Sequence, residues 1–337
     1  MQILMQLQDE YFINHERPGF PGLFLMFMCL AIIDNARKIW YYSRCKNKER
    51  LIFMIITIAN DVLQAQINRY GAELVSITKN GEEYIWEGDP KYWKDHSPVL
   101  FPMASSLLDK KYTHNGETYG FPQHGFARDC MFDIVKQTES SVVLRLVQNH
   151  LTQYVYPFEY DFCVSFELKD NMLDVNYIVK NLSEDENLYF NTGAHEGYKL
   201  FDGGSIEDHY IEFEKEEKLI RRELIDPVWR GVAVDYGQTK VLELSDKLFE
   251  VDGAFFLDIE SKYVILRSKK SDKAVKVNFD CTALGFWKVV GGGYICIEPW
   301  DGFCPFEGDS YELKEKRFIQ TLAPKSEYVF NHSIEIL

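Results

Sequence analysis

The sequence predicts an all-β protein built as a large antiparallel sandwich, and three observations support this. After Met54, short runs in which apolar and polar residues alternate recur along the chain, as half-buried strands require. Turn-forming residues separate these runs, and no long stretch keeps a helical period of 3.6 residues. The chain has 337 residues, of which 46% are hydrophobic and 15% aromatic, so it can bury a large core. We therefore predict a single domain over residues 54–337.

The strand signals can be followed in order. Residues 55–88 contain two or three short strands, and Asn80-Gly81 is a strong signal for a hairpin turn. Asp208 to Ile225 carries many charges, but its first half alternates apolar and acidic residues, so we interpret it as an exposed strand and loop rather than a helix. Gly291 to Gly293 lacks the Lys-Ser/Thr of a phosphate-binding loop and predicts a turn between strands. Similar alternating runs cover residues 132–149, 160–181, 263–280 and 294–300.

The first 53 residues differ in composition from the rest. They carry seven Lys and Arg against five Asp and Glu, whereas the whole chain carries 37 against 52, which leaves 30 against 47 after residue 53. The apolar run Gly22 to Ile33 is shorter than the roughly 18 residues that span a bilayer. Three interpretations remain open: a membrane-peripheral anchor, a docking helix, or an upstream extension with the true start at Met54. We favour the third, because an ordinary strand-turn-strand pattern begins at Met54.

Charge and cysteine content exclude several functions. The formal net charge of −15 disfavours nucleic acid and anionic membranes as partners, so we expect a small neutral ligand. Seven scattered cysteines without a Cys-x-x-Cys pair indicate reduced thiols and a cytoplasmic location. No His or Cys cluster has metal-ligand spacing, so we predict no metal and no cofactor.

Four segments carry more polar residues than a sandwich needs. A histidine with a pKa near about 6.5 and a carboxylate at the end of a buried strand are suited to proton transfer. Each residue, taken alone, also has a structural explanation, such as a turn former or a salt-bridge partner. The candidate residues are His124 and Arg128 in Phe121–Asp129, His195 in Phe190–Tyr198, Asp252 in Phe249–Asp258, and Glu298 and Trp300 in Tyr294–Phe303.

Taken together, the motifs HGFARD, YFNTGAH and I-x-IEPW, in this order, resemble the aldose 1-epimerase or galactose mutarotase-like family. The likeness is to its bacterial branch, in which the sugar is often unassigned. It runs from about Met54 to the C-terminus and includes LFP (Leu100 to Pro102), YPFEYDF (Tyr156 to Phe162) and KEKRFIQTLAP (Lys314 to Pro324).

The resemblance implies a β-supersandwich with an open cleft and an enzyme that interconverts the α and β anomers of a free hexose. In this family a glutamate removes the proton of the anomeric hydroxyl and a histidine protonates the ring oxygen. By likeness, Glu298 is the base and His195 the acid. His124 would then bind the sugar near its ring oxygen and Asp252 its hydroxyls, while Arg128 and Trp300 are further candidates for substrate binding.

Two departures from the family pattern matter. The arginine that usually follows LFP is absent, since Ser105 and Ser106 lie in that region, and Lys110 or Lys111 lacks the planar fork of a guanidinium. The second departure is Glu196, directly after His195, which either raises the pKa of the imidazole or faces solvent.

Two other functions stay open for this sequence. A hexose-6-phosphate 1-epimerase is expected to have a cluster of arginines at the cleft, which the missing arginine and the acidic domain disfavour. A non-catalytic sugar-binding or sensing protein is possible on the same fold, because folds host many functions.

Overall fold

The computed structural model describes residues 54–225, 228–303 and 305–337. The interpretations of residues 1–53 lie outside the described residues. Residues 54–337 form one compact unit. Across the described ranges, no helix has the length and apolar character needed to cross a membrane.

The described residues form 22 strands connected by turns and by short 3-10 helices. The first eleven strands are β1 (Ile55–Ala59), β2 (Leu63–Asn68), β3 (Glu73–Lys79), β4 (Glu82–Glu83), β5 (Tyr112–His114), β6 (Glu117–Tyr119), β7 (Asp133–Gln137), β8 (Ser141–Val147), β9 (Tyr160–Lys169), β10 (Met172–Asn181) and β11 (Leu188–Phe190). The others are β12 (Thr192–Gly193), β13 (Glu196–Lys199), β14 (His209–Ile225), β15 (Val228–Glu243), β16 (Ala254–Leu257), β17 (Tyr263–Ser268), β18 (Ala274–Phe279), β19 (Ala283–Trp287), β20 (Tyr294–Asp301), β21 (Gln320–Leu322) and β22 (Glu327–Ile336). The 3-10 helices are Leu108–Lys110, Ala127–Asp129, Thr152–Tyr154, Phe201–Gly203, Ile206–Asp208, Asp246–Phe249 and Leu313–Glu315.

Most strands belong to one antiparallel sheet of 14 strands, in the order β12-β20-β19-β16-β14-β17-β18-β22-β10-β9-β8-β7. In the same sheet β13 also pairs with β20, and β15 with β14. Separate small sheets contain β1 to β4, β5 with β6, and β11 with β21. The prediction of an all-β fold with large antiparallel sheets is confirmed.

Local sequence explains several of these elements. Residues alternate between buried and half-buried along the whole of β10, as the apolar–polar pattern predicts. Asn80 and Gly81 join β3 to β4 with φ of 54° and 81°, which is the backbone of a tight hairpin turn. Gly291 to Gly293 lie between β19 and β20, so that turn is also confirmed. The prediction for Asp208 to Ile225 is half right: β14 continues to Ile225 without the expected loop, because β15 pairs along it.

An aromatic core holds the segment that contains Phe101. The ring of Phe101 stacks on that of Phe162 with centroids 4.3 Å apart and an interplanar angle of 10°. The carbonyl oxygen of Phe101 accepts a hydrogen bond of 3.0 Å from the backbone N–H of Phe126. Gly125 lies against the same carbonyl with φ of 74°, and a Cβ there would stand 2.1 Å from the oxygen. Glycine is therefore required at this contact, which holds the adjacent His124 in place.

Candidate active site

The pairing of β20 with two short strands sets His195 opposite Glu298. Gly193 of β12 pairs with Trp300, and Glu196 of β13 pairs with Ile297, both on β20. The same register, continued across the break between β12 and β13, brings His195 to Glu298. The backbone N–H of Ala194 donates to the carbonyl of Pro299 at 3.0 Å within this break. The imidazole therefore comes from an interruption in a strand and the carboxylate from the strand facing it.

The imidazole and the carboxylate are close and buried. Nε2 of His195 lies 3.3 Å from Oε2 of Glu298, with side-chain exposures of 9% and 1%. Burial lowers the pKa of His195 to about 3, and the charge of Arg128 adds to this shift. Burial also raises the pKa of Glu298 well above its usual range, with smaller contributions from Asp252 and Glu196. Both shifts favour a neutral imidazole and a protonated carboxyl group in the protein without ligand.

Aromatic rings fix the orientation of His195. The ring of Trp93 stacks on the imidazole at 5.2 Å and 27°, while Trp287 meets it edge-on at 5.7 Å and 78°. His124 stands nearly perpendicular to His195, with ring centroids 5.4 Å apart. Burial also lowers the pKa of His124 well below its usual range, and the nearby His195 and Arg128 have the same effect. His124 is thus a neutral imidazole beside the first.

All six candidate residues from the sequence line one cavity of about 380 Å³. A site of this size can hold a small molecule, since such sites span about 300–1,000 Å³. Aromatic side chains form part of the lining: Trp93, Phe255, Trp287 and Trp300. The polar part consists of Ser105, Gln123, His124, Arg128, His195, Asp252 and Glu298.

Sequence reasoning missed four lining residues and one important neighbour. Trp93, Gln123, Phe255 and Trp287 line the cavity, and Asp95 forms an ion pair with Arg128. A signal was available for Gln123, inside the segment Phe121–Asp129, and for Phe255, inside the segment Phe249–Asp258. Trp93, Trp287 and Asp95 come from segments without a polar motif, and their position depends on long-range packing.

The other predicted binding residues differ in how far their side chains are already held by contacts within the protein. The guanidinium of Arg128 is bound by the Asp95 carboxylate. Oδ1 of Asp252 accepts a hydrogen bond of 2.7 Å from the backbone N–H of Gly253, and burial raises the pKa of Asp252. Trp300 lines the cavity but is only 2% exposed and packs in an apolar cluster with Phe255. Its ring therefore supports the site from the core side.

The structure also shows where the residues of the two departures from the family pattern lie. Ser105 lines the cavity, whereas the Nζ of Lys111 lies 4.6 Å above the ring of Tyr311. Glu196 does not face solvent, so that expectation is wrong, and the pKa of His195 is lowered by burial and by the charge of Arg128 rather than raised. Glu196 is 2% exposed, and its Oε1 lies 2.9 Å from Nε2 of His332 in the core. Side chains alternate across a strand, so the residue after His195 points to the opposite side.

The fold and the cavity define a galactose mutarotase-like β-sandwich protein. The chain belongs to the aldose 1-epimerase family, whose model matches residues 54–334. It is 29% identical to the plasmid-borne protein LacX of Lactococcus lactis subsp. lactis over 302 residues, covering 84% of this chain and 100% of the relative.

Solved structures agree with this assignment. A galactose mutarotase related enzyme from Lactobacillus acidophilus is 32% identical with a TM-score of 0.80, covering 84% of this chain and 97% of its own. A galactose mutarotase-like protein from Lactobacillus casei is 28% identical with a TM-score of 0.77, covering 84% of this chain and 100% of its own.

Proposed function

We propose that this protein is an aldose 1-epimerase that interconverts the α and β anomers of a free hexose by acid–base catalysis. The observation that carries the proposal is the contact of 3.3 Å between His195 and Glu298 at one cavity. Anomer interconversion needs one proton acceptor and one proton donor on either side of a hemiacetal. Membership of the aldose 1-epimerase family supports the same activity.

In the proposed reaction, Glu298 takes the proton of the anomeric hydroxyl while His195, as imidazolium, gives a proton to the ring oxygen. The bond between the anomeric carbon and the ring oxygen breaks, and an open-chain aldehyde forms. Rotation of the aldehyde exposes its other face to the chain hydroxyl. In ring closure His195 takes back the proton of that hydroxyl and Glu298 returns its own to the carbonyl oxygen. The protein ends in its starting state, so a full turnover needs no net proton.

A single proton shared by the two side chains serves this cycle. Burial favours the neutral forms, with the proton on Glu298, in the free protein. At 3.3 Å, a short movement brings Oε2 and Nε2 within hydrogen-bond reach, and the proton can pass to His195. Sugar hydroxyls that donate to the Glu298 carboxylate stabilise its charged form. Substrate binding thus promotes the ionised pair that ring opening requires.

The remaining lining suits a neutral sugar. His124 and Asp252 offer hydrogen-bonding groups to hydroxyls, and both line the cavity with the catalytic pair. Trp93 and Trp287 have partly buried rings beside His195, so the apolar face of a sugar can pack against them. We propose binding roles for His124 and Asp252 on this basis. Arg128 and Trp300 line the same cavity, and we propose that they contact the sugar as well, Arg128 from within its ion pair with Asp95.

The charges around the cavity support a free sugar over a phosphorylated one. Among the described residues that line the cavity, Arg128 is the one Lys or Arg, and its guanidinium is already paired with Asp95. Asp252 and Glu298 line the same cavity. A sugar phosphate needs unpaired cationic donors, preferably the fork of a free arginine.

A cytoplasmic location is part of the same proposal. Cys163, Cys281 and Cys296 are free thiols, and free thiols fit a reducing compartment.

The activity is tested with the full-length protein by polarimetry. Freshly dissolved α-glucose and α-galactose should reach anomeric equilibrium faster with protein than in the same buffer alone. Faster equilibration of glucose 6-phosphate but of neither free sugar would identify the phosphorylated substrate instead. Tight binding of a free sugar without any acceleration would identify a sugar-binding protein and contradict the proposal.

A further inference from the structure

The catalytic pair has a third side chain beside it that the epimerase reaction does not use. One ligand atom from each of His195, Cys296 and Glu298 lies within 4.8 Å of the other two, and all three residues are buried. Cys296 and Glu298 both lie on β20, two residues apart, so their side chains share one face of the strand. The fold thus gathers a nitrogen, a sulfur and an oxygen ligand at one point.

The polar atoms at this point are poorly satisfied. Within the described part of the chain, neither the two carboxylate oxygens of Glu298 nor Nδ1 of His195 makes a hydrogen bond of good distance and angle, and the indole N–H of Trp300 is the donor that acts on the Glu298 carboxylate. Glu298 is 1% exposed and Cys296 fully buried. Buried polar groups without hydrogen bonds are costly to a protein and are commonly satisfied by a ligand or ion.

We propose that His195, Cys296 and Glu298 bind one divalent cation of the zinc type, and that this cation blocks the catalytic pair. The blocking effect, unlike the binding, rests on the function proposed above. Imidazole, thiolate and carboxylate are the ligands that Zn²⁺ takes in proteins, and thiolate selects against Mg²⁺ and Ca²⁺.

The distances fit such a site after a small adjustment. Tetrahedral geometry at usual zinc–ligand distances separates two ligand atoms by about 3.3–3.6 Å. The 3.3 Å between His195 and Glu298 already agrees. No two of the three ligand atoms are more than 4.8 Å apart. A side-chain movement on the order of 1 Å brings such a pair to the zinc-ligand geometry. His195 and Glu298 line the cavity, which gives the cation an entry path and a fourth coordination position.

The charges also balance. A thiolate, a carboxylate and a neutral imidazole together carry two negative charges, which one Zn²⁺ neutralises. Binding releases the thiol proton of Cys296 and the carboxyl proton of Glu298 to solvent. The cation then occupies the same lone pairs that proton transfer uses. It therefore competes with the sugar.

Binding is tested on the full-length protein with Co²⁺, which reports thiolate ligation through a charge-transfer absorption. We expect a band that saturates at one Co²⁺ per chain and disappears when Zn²⁺ is added. Cys296→Ser should remove the band or weaken Co²⁺ binding at least tenfold. Cys163→Ser, which removes another buried free thiol, should leave it unchanged. His195→Gln should weaken binding while the thiol is still present.

Absence of the band in the unmodified protein, or an equal band in Cys296→Ser, would overturn the site. Equal Co²⁺ affinity in His195→Gln would do the same. The blocking effect is tested separately: Zn²⁺ should inhibit mutarotation, a chelator should reverse this, and Cys296→Ser should need at least tenfold more Zn²⁺. Binding of Zn²⁺ without inhibition of mutarotation would overturn the proposed blocking effect. If the protein has no epimerase activity, the Co²⁺ experiment still tests the metal site by itself.

Discussion

Glu196 pairs with His332 in the core, with 2.9 Å between Oε1 and Nε2 and exposures of 2% and 0%. The pair connects β13 to β22, two strands that are not neighbours in the sheet. The ring of Tyr177 stacks on His332 with centroids 5.6 Å apart. The strand that begins directly after His195 is therefore fixed to a distant part of the sheet by a buried polar contact.

We expect Glu196→Ala to destabilise the protein by about 1–3 kcal/mol, because it leaves the buried His332 ring without its hydrogen-bond partner. Urea unfolding followed by tryptophan fluorescence measures this loss. The matched control is Asp280→Ala, which breaks a pair with Lys262 at side-chain exposures of 85% and 61%. An exposed pair contributes at most about 1 kcal/mol. Equal losses in the two variants would contradict a structural role for the Glu196–His332 pair.

Gly125 provides a second prediction. Two features make a side chain unfavourable at this position. The φ of 74° is strained for any residue other than glycine, and a Cβ would stand only 2.1 Å from the carbonyl oxygen of Phe101. Gly116 has a similar φ of 82° but nothing within 4 Å of its Cβ position. Gly116→Ala therefore measures backbone strain alone, about 1–2 kcal/mol. Gly125→Ala should lower the free energy of unfolding by about 2 kcal/mol more, because of the steric clash. Thermal unfolding of both variants measures the difference, and equal losses of stability would refute the close contact.

Much of the fold follows from the sequence because its signals are local. Asn80-Gly81 specifies its turn through backbone preferences, and the alternation along β10 sets the face that it buries. The length of β14, in contrast, depends on a long-range contact. Its second half is a strand because β15 pairs with it, and no pattern within residues 208–225 predicts that pairing.

The candidate site shows the same division. His195 and Glu298 were identified through motifs that resemble a family, and the structure brings them to 3.3 Å. Trp93 lies outside the motifs, and Cys296 stands at the unspecified position of I-x-IEPW. They come to His195 through the packing and pairing of segments about 100 residues apart or more, and the spacing of His and Cys in the sequence therefore gave no metal signal.

The shared proton predicts how activity depends on pH. The pair is active with one proton, so activity is lost when a second proton binds or when the only one leaves. The second proton goes to His195, whose pKa is about 3, and the first leaves Glu298, whose pKa lies well above its usual range. The catalysed part of kcat/KM, after subtraction of the buffer rate, should stay level as pH falls through about 6.5. An acid limb centred near the ordinary pKa of histidine would contradict the shared-proton account.

The most direct measurement compares mutarotation by the unmodified protein and by Glu298→Gln. Glutamine keeps the size of the side chain and removes the proton acceptor, so the catalysed rate should fall by about 10²–10⁴-fold. Sugar binding, followed by the change in tryptophan fluorescence, should remain. Glu327→Gln, on an exposed ion pair of 2.9 Å with Lys180, serves as the control and should keep the full rate. Acceleration by Glu298→Gln equal to that of the unmodified protein would contradict the assignment of Glu298 as the base.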